Sequence, residues 1–263
     1  MQLPHTRAIV PSLELLDEVG STNAELVARA SAGALAGGTP LPHFTVLATA
    51  NQTAGRGRLG RTWVAPPGTT IAVSVLLAPS GATLERLGWV PLLAGLAMCR
   101  AVRGLLPERA VGLKWPNDVQ VDGAKVSGIL AEIVPGGSAV VVGAGVNLTM
   151  TAEQLPVPTA TSLTLEGADA VELVDRALAA YLGELKALAD AFAASGFDAG
   201  AGLRSEVIAA CSTIGSDVRV ERPKGDLHGR AVDIDESGRL VVEVEGQPIA
   251  VAAGDVTHLR PAS

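Results

Sequence analysis

Aromatic residues are scarce in this chain, with three Trp, three Phe and one Tyr among 263 residues. Apolar residues nevertheless make up 48% of the sequence. Ala, Val, Leu and Gly must therefore fill the core, which makes each aromatic a candidate tool as much as a filler. Trp63 and Trp115 both stand inside polar motifs. Cysteine is almost absent: Cys99 and Cys211 are isolated, without Cys-x-x-Cys or histidine spacing, which argues against a structural zinc and fits two buried, reduced thiols in a reducing compartment. No basic start followed by an apolar run opens the chain, and no stretch of about 18 apolar residues occurs, so neither a signal peptide nor a membrane span is expected. The expected location is the cytoplasm. Positive charge is in short supply as well: 20 Lys and Arg against 27 Asp and Glu give a net charge of −7. The overall field is unsuited to gripping nucleic acid, and clustered arginines must serve small anions.

Such a cluster is present at Gly55-Arg56-Gly57-Arg58-Leu59-Gly60-Arg61-Thr62-Trp63. Glycine lets backbone approach a ligand closely, and arginine presents a planar fork of donors matched to carboxylate and phosphate. The pairing suits two anions held together. The same letters satisfy G-x-G-x-x-G, but that dinucleotide fingerprint needs a helix directly after the glycines and an acidic residue about 20 positions on. Pro66-Pro67-Gly68 stops any helix, and Thr69 to Leu77 reads as a β-branched strand. The segment is therefore a glycine-arginine loop between strands. Its ordinary structural reading is an exposed turn made soluble by charge.

Taken in order, Leu13 to Val19 reads as a strand, and Gly20-Ser21-Thr22-Asn23 leads into a helix whose capping box is Thr22 with Glu25. Ser21, Thr22 and Asn23 also gather small donors and acceptors at one point, able to read a polar, uncharged head group. Ser31 to Pro42 reads as a loop and His43 to Ala50 as a strand, with Gln52 just ahead of Arg56. Thr83 to Leu106 is a long helix that Pro91 should interrupt. Lys114-Trp115-Pro116-Asn117-Asp118 leads to an Asp122-Gly123 hairpin turn that brings Lys125 back near Asn117 and Asp118. Lys125 alone would be a solvated surface lysine. It begins the apolar run VSGILAEIV, however, where a strand needs no cation, and Gly128 leaves room for close approach. Gly143 and Gly145 weaken the next strand, Ser138 to Leu148, unless something passes close to it. Asp169 to Ser195 and Phe197 to Cys211 read as helices. From Thr213 on, short β-segments separated by Gly, Asp and Pro suggest a small barrel.

Together, GRGRLGRTW, KWPNDV, KVSGILAE and GAGVNL, in this order, resemble the biotin protein ligases. The resemblance implies an α+β fold: a central mixed sheet flanked by helices, of the type shared with class II aminoacyl-tRNA synthetases, followed by an SH3-like β-barrel. The expected division is a catalytic domain over 1–212 and the barrel over 213–263. It further implies that biotin lies against Ser21, Thr22, Asn23 and Gln52, with Arg56, Gly57 and Arg58 closing over its carboxylate and Gly143 and Gly145 making room along the strand. Arg58, Arg61, Trp63, Asn117, Asp118 and Asn147 would help hold ATP, and Lys125 would reach the reacting centre, with Arg58 as its catalytic companion. Ser127 stands where the family often has alanine.

The implied chemistry is ATP-dependent biotinylation of a carrier lysine through biotinyl-5'-adenylate, with ATP and biotin as substrates, Mg2+ on the nucleotide and a biotin carboxyl carrier protein as acceptor. The chain starts only shortly before Leu13, so a ligase without direct DNA binding is expected, and exposed sheet edges of such a fold would permit a homodimer. A lipoate or octanoate transferase of the same fold would lack the glycine-arginine loop. A non-catalytic biotin sensor would not need Lys125 together with all three loop arginines. The barrel has no aromatic residue after Phe197, which argues against a proline-peptide module.

Overall fold

The computed structural model describes residues 1–35, 39–78, 86–137, 139–222, 225–252 and 254–259. Helix α1 (Pro4–Ile9) and strand β1 (Glu14–Leu16) precede helix α2 (Thr22–Leu35) and strand β2 (Thr45–Thr49). A two-residue hairpin, β3 (Gly55–Arg56) with β4 (Thr62–Trp63), carries the glycine-arginine loop. Then come β5 (Thr70–Leu77), α3 (Val90–Leu105), β6 (Val111–Lys114), β7 (Asp118–Val121), β8 (Ala124–Ile133) and β9 (Val140–Asn147). Helices α4 (Leu173–Ala194) and α5 (Gly200–Ala210) lead to β10 (Asp217–Glu221), β11 (Leu227–Ile234), β12 (Leu240–Val244), β13 (Gln247–Val251) and β14 (Asp255–His258).

The first sheet has seven strands in the order β1-β2-β5-β9-β8-β7-β6. Only β1 and β2 run parallel, so the sheet is mixed as expected. Strand alternation sorts its side chains onto two faces. Ile71, Val73, Val75 and Leu77 of β5, with Val140, Val142, Ala144 and Val146 of β9, enter the main core beneath α3 and α4. On the other face Leu76 and Val141 pack against Leu26 and Ala30 of α2 in a smaller cluster. That helix covers only part of the face. Beyond it the floor is built of Ala72, Ser74, Gly128, Gly143 and Gly145, which leaves a trough where larger side chains would have filled the space.

Several local expectations are corrected. Thr22 is the first helical residue, and the capping box does not form: Glu25 pairs with Arg29 at 2.7 Å. The N–H of Thr22 is instead taken by Gln52 Oε1 at 2.9 Å. The segment expected as a loop from Ser31 begins as the last turns of α2, and residues 36–38 of it lie outside the described residues. Pro91 does not interrupt a helix; it stands in the first turn of α3, where a missing N–H costs nothing. A 3-10 turn, Arg86–Trp89, precedes it, and residues 79–85, which include the expected helix start, lie outside the described residues. Ser138, the expected start of β9, does too. Among the described residues no helix is long and apolar enough to cross a membrane.

The C-terminal strands form an antiparallel sheet in the order β13-β12-β11-β10-β14. Four of the five were expected from the segment spacing, whereas β14 was not. The sheet is open: no ladder joins β13 to β14 among the described residues, so the expected barrel is not closed by hydrogen bonds. Strand β13 is suited to an edge, because Pro248 lacks a donor and most of its residues are exposed.

Candidate active site

The trough ends in a corner of small polar groups. Ser21, Thr22 and Asn23 are all buried at the start of α2, and Ser74 of β5 binds two of them, its Oγ lying 2.6 Å from Asn23 Oδ1 and 2.7 Å from Thr22 Oγ1. The Asn23 amide donates to Leu130 O at 3.0 Å and to Glu132 Oε2 at 2.9 Å. Each group is neutral except Glu132, and each is held in one orientation by its neighbours. A Cβ at Gly143 would collide with the Asn23 side chain, so glycine there is required by Asn23 itself. A Cβ at Gly145 would come within 2.8 Å of the Trp63 ring. The indole therefore lies against β9 beside Gly128, and the cleft left between it and the Ser21–Asn23 corner is only about 30 Å³.

The loop is closed in this structure, each arginine gripping a different wall. Arg56 pairs with Glu132 at 3.0 Å, Arg58 donates to Asn117 Oδ1 at 3.0 Å, and Arg61 pairs with Asp255 of the C-terminal sheet. The Gly57 N–H closes the loop on Arg61 O at 2.7 Å. Beneath it lies a cavity of about 370 Å³, lined on one side by Arg58, Lys114, Asn117, Asp118 and Lys125 and on the other by the C-terminal sheet.

Lys125 reaches this cavity through a β-bulge. Gln120 faces Lys125 and Val119 faces Ser127, so Val126 is the extra residue of β8. Without the bulge Lys125 and Gly128, three apart, would project from opposite faces. With it, the ammonium stands over Gly128, 2.7 Å from Asp118 Oδ1 and 5.7 Å from the centre of the Trp63 ring, a cation–π distance. Its backbone is held by Thr159 and Thr161, N–H to Thr159 O and C=O from the Thr161 N–H, both at 2.8 Å.

Electrostatically the cavity is a half-buried collection of cations. Burial lowers the pKa of Arg58, with Asp118 opposing and Arg61 reinforcing the shift. Burial likewise lowers that of Lys114; Asp118 offsets it, and Lys125 and Arg61 add to it. An anion of several charges would relieve all of these groups at once.

Most residues singled out in the sequence converge here. Arg56, Gly57, Arg58, Arg61, Trp63, Asn117, Asp118 and Lys125 line the larger cavity. Ser21, Thr22, Asn23, Gln52, Arg56, Trp63, Gly143 and Gly145 line the cleft. Asn147 lines neither: it is buried, with its amide on Thr161 O at 2.8 Å. Sequence reasoning passed over Lys114, Ser74, Glu132 and Asp255. Ser74 had a signal, as the polar residue among apolar ones from Ile71 to Leu77. Asp255 had none, since nothing local ties it to Arg61.

Comparison with known proteins agrees with this geometry. Residues 39–148 match the biotin/lipoate A/B protein ligase family, and residues 213–259 match the biotin protein ligase C terminal domain. The chain is 42% identical over 251 residues to a biotin–acetyl-CoA-carboxylase ligase of Mycobacterium tuberculosis, covering 94% of this chain and 89% of that protein. It is 34% identical over 217 residues to the ligase of the same name from Paracoccus denitrificans, covering 78% and 86%. A solved biotin protein ligase from Aquifex aeolicus, in complex with biotin and ATP, is similar in fold with a TM-score of 0.73 at 26% identity, covering 95% of this chain and 99% of that one. A similarity that runs through both sheets, joined to an arginine loop closed over a sheet lysine, leads to one conclusion: the chain belongs to the biotin protein ligase family.

Proposed function

We propose that this enzyme joins biotin to ATP as biotinyl-5'-adenylate and then passes the biotinyl group to a lysine of a biotin carboxyl carrier protein. The observation that carries the reading is the adjacency of a neutral polar corner and a cationic cavity, with Trp63 and Lys125 at their junction. The corner suits a ureido head group, which offers donors and an acceptor without charge. The cavity suits a nucleotide. A bicyclic ligand cannot enter a cleft of about 30 Å³, so Trp63 must move off Gly145 for biotin to lie along β9, and the indole is then available to the adenine ring.

In the first step a carboxylate oxygen attacks the α-phosphorus and pyrophosphate leaves. Two anions must meet, and Lys125 and Arg58 offset their repulsion and the charge growing on the phosphoryl oxygens. Magnesium enters as part of the Mg·ATP substrate; among the described residues no group of three or more His, Cys, Asp or Glu is arranged to hold a metal ion. In the second step the carrier amine attacks the acyl carbon, AMP departs and the amine loses a proton. Once phosphoryl oxygens engage Lys125, Asp118 is free to receive that proton. The net charge of −7 supports a ligase that does not bind DNA directly.

ATP–pyrophosphate exchange isolates the first step. Exchange should require biotin, should not be supported by lipoate, and should fall by about 10²-fold or more in Lys125→Ala, as on losing one oxyanion donor. Tight biotin binding without exchange would instead indicate a sensor, and exchange with lipoate alone would mean a different acyl group.

A further inference from the structure

We propose that Lys114 holds the terminal phosphates of ATP and then the departing pyrophosphate, on the side of the cavity nearest the C-terminal sheet; this rests on the biotin-activating reading above. Strand β6 alternates, with Val111 and Leu113 buried in the core. The same alternation turns Lys114 to the other face, where it lines the cavity. It differs from the other cations there, because Arg58, which also lacks a carboxylate, donates to Asn117 Oδ1 at 3.0 Å, while the Lys114 ammonium has no side-chain hydrogen bond among the described residues. Arg56 is paired with Glu132, Arg61 with Asp255 and Lys125 with Asp118, whereas Lys114 has no carboxylate within 4.0 Å among the described residues. Asp118 is felt only at a distance, and a half-buried ammonium without a contacting counter-charge is costly unless an anion arrives to meet it.

Position then decides which anion. Lys125 stands at the junction with the trough, beside Gly128 and Trp63. Lys114 lies farther on, on β6, two strands beyond β8 in the sheet, and it lines the larger cavity but not the cleft. Displacement at the α-phosphorus is roughly in line, so a carboxylate arriving from the trough sends the leaving group away from it. Within the cavity, away from the trough means toward β6, which carries Lys114. The carboxylates of the opposite wall do not compete for the ammonium, because Asp255 is engaged by Arg61 and Glu221 by Arg219 at 2.8 Å.

The two half-reactions separate this role from a structural one, since preformed biotinyl-adenylate carries no terminal phosphates. Lys114→Gln should raise KM for both ATP and pyrophosphate in the exchange assay by about tenfold or more, the worth of one charge-assisted hydrogen bond. Transfer from preformed biotinyl-adenylate to carrier protein should stay near the unsubstituted rate, and Lys114→Arg should restore most of the lost affinity. Equal losses in both half-reactions, or unchanged KM for ATP and pyrophosphate, would overturn the role of Lys114 alone. An unsubstituted enzyme without biotin-dependent exchange would overturn the activity reading and this role with it.

Discussion

Ser127 is fully buried, and its Oγ has no hydrogen-bond partner among the described residues. Strand alternation puts it on the same side as Ile129, toward the core, where a hydroxyl is desolvated without return. Ser127→Ala should therefore raise stability by about 1 kcal/mol, seen as a higher urea midpoint with an unchanged m-value, and leave exchange activity intact. Residues of this kind show how far single positions are legible. Lys125 could be read from sequence because a cation heading an apolar strand is locally anomalous. Lys114 could not, since a lysine at a strand end before a turn is unremarkable until the facing wall is in place. Asn147 reads as a ligand by resemblance; one N–H of its amide goes to Thr161 O, which leaves the second N–H and Oδ1 for another partner.

Helix α1 has six residues and no side-chain cap of its own. Asp175 of α4 supplies one from far along the chain, accepting from the His5 and Thr6 N–H groups at 2.8 Å each and from the Thr6 hydroxyl at 2.6 Å. Burial pushes this carboxyl upward in pKa, but the bonds from Thr6 and His5 outweigh it, and the net shift is downward. A carboxylate with a lowered folded pKa contributes stability that is present above its unfolded value of about 3.9 and lost as pH falls through the folded one. Asp175→Asn should cost about 1–3 kcal/mol at neutral pH. The difference from the unsubstituted protein should shrink in acid denaturation below about pH 4. Among elements, the Asp122-Gly123 hairpin was legible because both residues take positive φ, 48° and 86°. Helix α1 and the bulge in β8 were not, because each depends on a partner distant in sequence.

The two sheets are tied together at Thr213, which is fully buried. Its Oγ1 accepts from the Trp115 N–H at 3.0 Å and lies 3.0 Å from His258 Nε2. Burial first, and then Lys114, lower the pKa of His258, so near neutral pH its ring is uncharged and Nε2 can accept from the threonine hydroxyl. Thr213→Val leaves both groups without a partner and should cost about 1–3 kcal/mol. Because Trp115 adjoins Lys114, exchange should weaken along with thermal stability, within one cooperative transition measured by calorimetry. The composition of the C-terminal strands was legible from their spacing, but their contribution of Asp255 to the arginine loop was not, since the contact spans most of the chain. The scarcity of aromatics has a last consequence. Trp89 and Trp115 are 1% and 2% exposed and donate their indole N–H groups to Glu236 O and Gly238 O in the turn between β11 and β12, while Trp63 is half-buried over Gly145 beneath an ammonium. Near-ultraviolet emission from this protein accordingly has two separable sources: a shielded pair that responds only if the sheets part, and a single indole whose intensity and colour follow whatever takes its place on β9. The molecule carries an unlabelled optical gauge of its own occupancy.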